Sequence, residues 1–344
     1  MNRQFPPEIV QLIVEASLDP YDFFAQYPYQ TKLRYATLKL FSVLNSAWCG
    51  SSQAELVKLV VIRTEGSAKI FLDLAQQRGG TLGGLQDMFV NSVSFTDAST
   101  LAKLLRSVPQ VVDLRLRSAT ADIGDLARLQ QLRRLELFDC SVVGSASSSL
   151  LRLPQLQRLE ISYSRVLDSA RQFLTPAVLP QLRRVKTDFH DEVASLVPQL
   201  EIITFVSGHP EYALLARAKS LLLLPLPHYA HKRLDMLAKL PSFPPFLHID
   251  ITPHIVDDQL DDNQELLEAL EDLLETSKSG LPVILLNDHG ISDRIGVLIQ
   301  RFEERGVRVQ LGDHHLDFEG AIVEMEKIRK KEKRAAEAAV IGVY

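Results

Sequence analysis

The chain has 344 residues, of which 46% are hydrophobic and 24% charged, so it is long enough for one elongated domain or two compact ones with real cores. The formal net charge of −5 argues against a general nucleic-acid binder, because phosphate contacts usually require a basic domain. Two cysteines are too few for a secreted disulfide framework. With no signal peptide and no apolar run long enough to span a bilayer, we expect a cytoplasmic or nuclear protein with no membrane contact.

The first predicted element is an amphipathic helix in the stretch FPPEIVQLIVEASLDPYDFF, which begins at Phe5. Two prolines suit the first turn of a helix. Apolar residues then recur at helical spacing and should share one face: Ile9, Leu12, Ile13 and Ala16.

This stretch, together with FSVLNSAW at 41–48, resembles an F-box, whose opening pattern is Leu-Pro-x-Glu-apolar-apolar. The resemblance covers residues 5–50, and AELVKLVVI, which follows, is similar to the strand that joins F-box-like segments to leucine-rich repeats in many fungal proteins. The chain departs from the pattern at three places, one of which is an extra residue inserted before Leu18. Phe5 stands where Leu is usual, and AQYPYQTKLRYATLK separates the first helix from the last.

The resemblance implies a specific function. F-box proteins bind a Skp-family adaptor through these helices and present a substrate protein to a cullin-type ubiquitin ligase, without catalytic residues of their own. Carried over by position, the adaptor contacts would be Phe5, Pro6, Ile9, Ile13, Leu44 and Trp48. The alternative is a helical cap that only seals the first repeat of a solenoid.

A recurring phrase, L-P-x-L-x-x-L-x-L, indicates repeats in the middle of the chain. It starts at Val108, Leu129, Leu153, Leu179 and Val197, with weaker copies at Asp87, Ala218 and Phe243 and strand-like runs at Leu281 and Gly306. The spacing of 18 to 26 residues between successive starts is typical of leucine-rich repeats. Segments such as TDASTLAKLLRSV, LDSARQFLTPAV, DEVASLV and PEYALLARA favour a helix after each strand.

The expected fold is therefore α/β: a leucine-rich-repeat solenoid with a parallel sheet on its concave side, preceded by a small helical segment. The predicted domains are residues 1–54 (F-box-like), 55–316 (solenoid) and 317–344 (a charged C-terminal helix or cap). An α/β protein of another kind with short strands and helices is the alternative.

Basic residues recur on the outward-facing positions of the phrase. At its sixth position, the copy of the phrase that starts at Val108 has Asp113, and the next three copies have arginine. These arginines are predicted to form a row about 4.8 Å apart on adjacent strands: Arg134, Arg158 and Arg184. Arg133 and Arg183 precede two of them, while Arg115 and Lys186 lie at the eighth position. These seven residues are the candidate substrate-binding set, suited to an acidic or phosphorylated segment. Glu136 and Glu160 also occupy the eighth position, so internal ion pairs are the alternative.

In the C-terminal third, the pattern of charged and apolar residues predicts an acidic helix at 257–280. It also predicts a mixed-charge helix near the end, EMEKIRKKEKRAAEAAV. The histidines of GDHHLD could in principle hold a metal, but adjacent histidines in a strand point to opposite faces. No nucleotide, nucleophile or zinc motif is present. We therefore expect no enzyme activity, cofactor or metal, and a substrate-recognition subunit of a ubiquitin ligase. The alternative function is a repeat scaffold that binds a protein partner without any link to ubiquitin.

Overall fold

The computed structural model describes residues 6–16, 28–44, 46–82, 84–92, 95, 97, 99–144, 151–187, 193, 195–200, 202–205, 246–251, 283–288, 293–304, 309–312, 327, 330, 331, 333 and 334. They fall into two units, Met1–Gln181 and Leu182–Tyr344. Both units contain parallel strands with helices, so the α/β class is confirmed.

Three helices open the first unit: α1 (Pro7–Ala16), α2 (Pro28–Ser42) and α3 (Ser46–Leu56). The segment that departs from the F-box pattern is thus largely a helix, α2. The stretch FSVLNSAW at 41–48, which resembles the closing helix of an F-box, is divided between two helices, because α2 ends within it and α3 begins within it. The last turn of α2 tightens, with Val43 and Leu44 donating backbone hydrogen bonds three residues back, to Leu40 and Phe41.

A five-stranded parallel sheet follows in the first unit. Its strands lie in sequence order and are β1 (Leu59–Ile62), β2 (Asp87–Asn91), β3 (Asp113–Arg117), β5 (Arg134–Phe138) and β7 (Arg158–Ser162). A strand order that equals the sequence order requires each connection to cross over on the same side.

The recurring leucines set the register of this sheet. Leu135 of β5 pairs with Leu159 of β7 and with Leu114 of β3, and the next leucine position pairs in the same way. Leu114, Leu116, Leu135, Leu137, Leu159 and Ile161 are all fully buried. The Leu-x-Leu ends therefore point to one face, as the phrase predicts, and stacking of neighbours buries them.

The helical parts of the connections are shorter after Ser107. α4 (Glu65–Gln77) and α5 (Ser99–Ser107) are regular helices, whereas α6 (Ile123–Leu126) is a single turn and Asp168–Phe173 is a 3-10 helix. Short strands β4 (Thr120–Asp122), β6 (Ser141–Val143) and β8 (Arg165–Val166) form a second parallel sheet within the same unit. The prediction of one helix for each strand is thus correct at α5 but too simple further on. Of the DEVASLV segment, the described residues 193, 195 and 196 lie in turns.

The second unit contains β9 (Arg184–Thr187) paired in parallel with β10 (Ile202–Phe205), and a 3-10 helix at Val197–Gln199. Its three-stranded parallel sheet consists of β11 (Phe246–Ile251), β12 (Val283–Asp288) and β13 (Val309–Gly312). Helix α7 (Asp293–Glu304) precedes β13. Strands thus occur at the sites predicted near residues 243, 281 and 306.

Several predictions fall on residues outside the described set. These are the weak repeat at 218–226, the helix in PEYALLARA, the acidic helix at 257–280 and the histidines at 314 and 315. The described residues 327, 330, 331, 333 and 334 are helical, in agreement with the predicted terminal helix. The boundaries at 54/55 and 316/317 stay predictions.

Candidate functional site

The three N-terminal helices share a small apolar core. Val10, Val14 and Leu38 are buried, and Phe41, Trp48 and Leu56 pack against them. The rings of Phe41 and Trp48 lie 5.3 Å apart between centroids and are tilted by 45°. Trp48 therefore contributes to the module's own core, which is the usual position of such a large apolar ring.

A buried carboxylate, Glu55, connects all three helices. It accepts hydrogen bonds from Gln11 of α1 at 3.0 Å and from Arg34 of α2 at 3.2 Å, and it pairs with Lys58 just beyond α3. Buried carboxylates require such partners to offset the loss of water. The sequence reasoning missed Glu55, because nothing in its spacing marks it as buried.

The helical module is also fixed to the first strand. The hydroxyl of Tyr35 donates to the backbone oxygen of Leu59 at 3.1 Å. Burial raises the pKa of Tyr35 above its ordinary value, although the nearby Arg34 opposes this rise. The phenol therefore stays protonated and keeps its role as donor.

The predicted adaptor contacts occupy different environments. Pro6, Ile9 and Leu44 are exposed, Ile13 is half-buried, and Trp48 is partly buried in the core. Phe5 lies outside the described residues. The buried face of α1 is formed by Val10 and Val14, so the face predicted to be apolar is the one that is largely open to solvent.

Further apolar side chains are exposed on the same helices. Leu12 of α1 is 59% exposed, and Val43, directly after α2, is 75% exposed. Leu40 lies seven residues after Leu33 on α2, and Val43 and Leu44, just beyond the helix, lie three and four residues after Leu40, which is the spacing of one side of a helix. We call Ile9, Leu12, Leu33, Leu40, Val43 and Leu44 the apolar helical surface. Exposed apolar residues typically mark interaction sites where they form a contiguous patch.

Three of the charged residues predicted to line up across the strands, Asp113, Arg134 and Arg158, lie in register on one face of the sheet. Arg134 pairs with Asp113 on one side and Arg158 on the other. Two residues further along the same strands, a second row is formed by Arg115, Glu136 and Glu160. In the second unit, Arg184 and Lys186 lie on β9, while Arg183 before β9 and Arg133 before β5 are exposed. The substrate-binding role of these residues stays a prediction.

Glutamates lie against the arginines of this face. Arg115 Nε lies 2.8 Å from a carboxylate oxygen of Glu136, and Arg134 lies 3.3 Å from Glu160, which also pairs with Arg158. These side chains are largely buried, and Arg158 is only 8% exposed. The charges are thus compensated within the protein, so a ligand carboxylate would compete with existing ion pairs.

Burial shifts the ionisation of this face. Desolvation lowers the pKa of Arg115 and Arg134 and lowers that of Arg158 to about 10, against the opposing effect of the glutamates. Desolvation, and secondarily the neighbouring Asp113, raise the pKa of Asp87 to about 6. Arg158 therefore still carries its charge at neutral pH, whereas Asp87 loses its proton at a pH just below neutral.

A short polar ladder lies behind the strand ends. Cys140 is buried and its thiol contacts the backbone oxygens of Leu116, at 3.4 Å, and Phe138, at 3.3 Å. Burial raises its pKa to about 11, so the thiol stays protonated and can donate. Ser164 occupies the equivalent position after β7. The sequence contained a signal for this ladder, since both residues lie three positions after the second buried apolar residue of their phrases.

No protein-family model matches the chain, and no curated protein matches it. Within the described part of the chain, no helix combines the length and apolar character needed to cross a bilayer. In that same part, no group of three or more His, Cys, Asp or Glu side chains is arranged to bind a metal ion.

Proposed function

We propose that this chain is a non-catalytic substrate-recognition subunit of a cullin-type ubiquitin ligase. The N-terminal helices bind a Skp-family adaptor, and the repeat surface binds a substrate protein. The observation that carries the proposal is the apolar helical surface, which overlaps the positions of the F-box resemblance at Ile9 and Leu44.

The size of this surface supports a protein partner. Burying one Leu, Ile or Val side chain typically contributes about 1.5–3 kcal/mol. Six such side chains, two on α1 and four on or just after α2, could therefore provide the apolar centre of a stable interface. The surface is also held on a fixed support, because Glu55 joins the three helices and Tyr35 attaches them to β1. Such preorganisation lowers the ordering cost of binding.

We also propose that the strands belong to a leucine-rich-repeat solenoid. Support comes from the 21 to 24 residues that separate the phrase starts at Val108, Leu129 and Leu153, together with the one-to-one pairing of their leucines. The polar ladder at Cys140 and Ser164 adds to this support, because buried polar groups at equivalent positions join successive turns. A stack of this kind would present its strand face and strand ends to a substrate.

A second candidate function is a repeat scaffold with no link to ubiquitin. It is favoured by the same contacts of Glu55 and Tyr35, which are suited to a helical cap that seals β1 against solvent. Under that function the exposed apolar side chains would bind another partner.

Co-purification with a Skp-family adaptor separates the two candidates. The wild-type chain should retain the adaptor, and Ile9→Asp or Leu12→Asp should lose it, because a charge would be buried in an apolar interface. Ile70→Asp is the matched control, since Ile70 lies on α4 and is 73% exposed. Loss of the adaptor in the control as well, or retention in all variants, would favour the scaffold.

A further inference from the structure

Three turns with the same unusual backbone conformation follow the strands of the first unit. Ser118 after β3, Asp139 after β5 and Tyr163 after β7 have φ angles of 50°, 53° and 53°. Residues with side chains adopt this left-handed region uncommonly, and Asp is among the residue types enriched there. Tyr is not among those residue types, so the conformation is less favourable at Tyr163 than at Asp139.

These turns are well anchored to one another. The backbone N–H of Ser118 donates to the oxygen of Phe138 at 2.9 Å, and that of Asp139 donates to the oxygen of Ser162 at 3.0 Å. The hydroxyl of Ser118 donates to the carboxylate of Asp139 at 2.8 Å. The left-handed conformation of Tyr163 thus belongs to an edge held by hydrogen bonds, yet the residue is 60% exposed.

The same edge carries a stack of an arginine and two aromatic rings. The guanidinium of Arg117 lies 5.0 Å from the centroid of the Phe138 ring, and the rings of Phe138 and Tyr163 meet edge to face at 5.3 Å. Arg117 and Phe138 are register partners at the last positions of their strands. We call Arg117, Phe138 and Tyr163 the aromatic ledge.

Arg117 differs from the other arginines of this sheet. Arg115, Arg134 and Arg158 each pair with a glutamate, whereas no carboxylate of the described residues forms an ion pair with Arg117. An arginine whose guanidinium lies over an aromatic ring can still donate hydrogen bonds from its N–H groups, which lie in the guanidinium plane. Those donors match the two oxygens of a carboxylate.

We propose that the aromatic ledge binds an acidic peptide segment of a partner protein. A carboxylate of the segment pairs with Arg117, and a neighbouring apolar or aromatic side chain packs against Tyr163. Tyr, Arg and Phe are enriched at the centres of protein interfaces. The nearby Asp139 is exposed and favours a singly charged carboxylate over a doubly charged phosphate.

The backbone strain supplies the reason for a binding role at Tyr163. A left-handed residue that only completed the turn would be better as glycine or asparagine. A strained conformation that presents a large ring to solvent is typical of binding sites. This proposal concerns an edge of the sheet and does not depend on adaptor binding.

The test is a selection from random twelve-residue peptides displayed on phage, with the full wild-type chain as bait and Tyr163→Gly as counter-bait. We expect enriched peptides that combine Asp or Glu with an adjacent aromatic or apolar residue. A synthetic copy of one such peptide should bind at least tenfold more weakly to Arg117→Gln and to Tyr163→Gly. The thermal unfolding temperature of Tyr163→Gly should equal or exceed that of wild type, because glycine relieves the strain.

Three results would overturn the proposal. The first is that both baits enrich the same peptides, or that neither enriches any. The second is that the selected peptides are basic, and the third is that a phosphoserine in place of the acidic residue binds more tightly. The adaptor is absent from this experiment, so its outcome is distinguishable from a failure of the proposed ligase function.

Discussion

The backbone N–H of Cys140 donates a hydrogen bond of 2.9 Å to the hydroxyl oxygen of Ser164, which stands at the equivalent position 24 residues later. The same hydroxyl lies 2.9 Å from the backbone oxygen of Ser162 and 3.2 Å from that of Leu137, and either can accept its proton. One buried serine thus satisfies the backbone of two successive turns, so the stacking of turns depends on polar contacts as well as on leucines.

Ser164→Ala should therefore destabilise the protein. The variant leaves the N–H of Cys140 buried without its acceptor, which typically costs about 1–3 kcal/mol. Urea unfolding measures the loss. Ser42→Ala is the control, because the hydroxyl of Ser42 donates to the backbone oxygen of Lys39 in an exposed hydrogen bond, and its effect should stay within about 0.5 kcal/mol. Equal effects of the two substitutions would contradict the role given to the ladder.

Two glycines should respond to alanine in opposite directions. A Cβ at Gly144 would lie 2.1 Å from the backbone oxygen of Ser169, so Gly144→Ala should destabilise by about 1–3 kcal/mol. At Gly66, in the first turn of α4, the nearest atom would be 3.9 Å away, and Gly66→Ala should stabilise by up to about 1 kcal/mol. Thermal unfolding of both variants measures these changes. A stabilised Gly144→Ala would contradict the close approach of Gly144 to the 3-10 helix at Ser169.

Asp87 should make stability depend on pH. Its pKa is raised from 3.8 to about 6 in the folded chain, so the folded state binds this proton more tightly than the unfolded state. The resulting stabilisation is present below about pH 4 and is lost as the pH rises through 6. Asp87→Asn removes the buried charge, so at pH 7 it should raise the free energy of unfolding by about 1–2 kcal/mol.

The measurement for Asp87 is urea unfolding of wild type and Asp87→Asn at several pH values between 4 and 7. The advantage of the variant should grow as the pH rises. A difference that is constant across this range would mean that Asp87 ionises normally in the folded protein.

Arg158 should be important for stability. It is nearly buried and pairs with Glu160, so Arg158→Ala leaves a buried carboxylate with one partner fewer and should cost about 3–5 kcal/mol. Arg133→Ala is the matched control, because Arg133 is exposed at the neighbouring position before β5. Its effect should stay within about 0.5 kcal/mol. If both alanine variants unfold at the same urea concentration, the ion pairs of this face contribute little.

The sequence predicted the strands of the first unit well because their signal is local and repeated. Each Leu-x-Leu end alternates toward the buried face, and one period brings Leu135 opposite Leu159. The short connections were harder to predict. Ile123 and Leu126 lie at helical spacing, yet the helix there has only four residues. It is short because β4 ends at Asp122 and the residues after the helix lead into β5.

The candidate site was less predictable than the sheet. The apolar residues of α1 surround more than half of the helix, so periodicity could not decide whether Val10 or Ile9 faces the core. Some ion pairs join residues that are not register partners. Arg134 on β5 contacts Glu160 on β7, two residues beyond its own register partner, Arg158. Such contacts follow from rotamers and burial, which spacing alone does not determine.

Hydrogen exchange of the full chain, with and without a purified Skp-family adaptor, tests the proposed function most directly. The account predicts that the adaptor slows exchange in residues 7–16 and 28–44, where the apolar helical surface lies, while β3, β5 and β7 exchange slowly in both states. Unchanged exchange throughout α1 and α2 at saturating adaptor would contradict it.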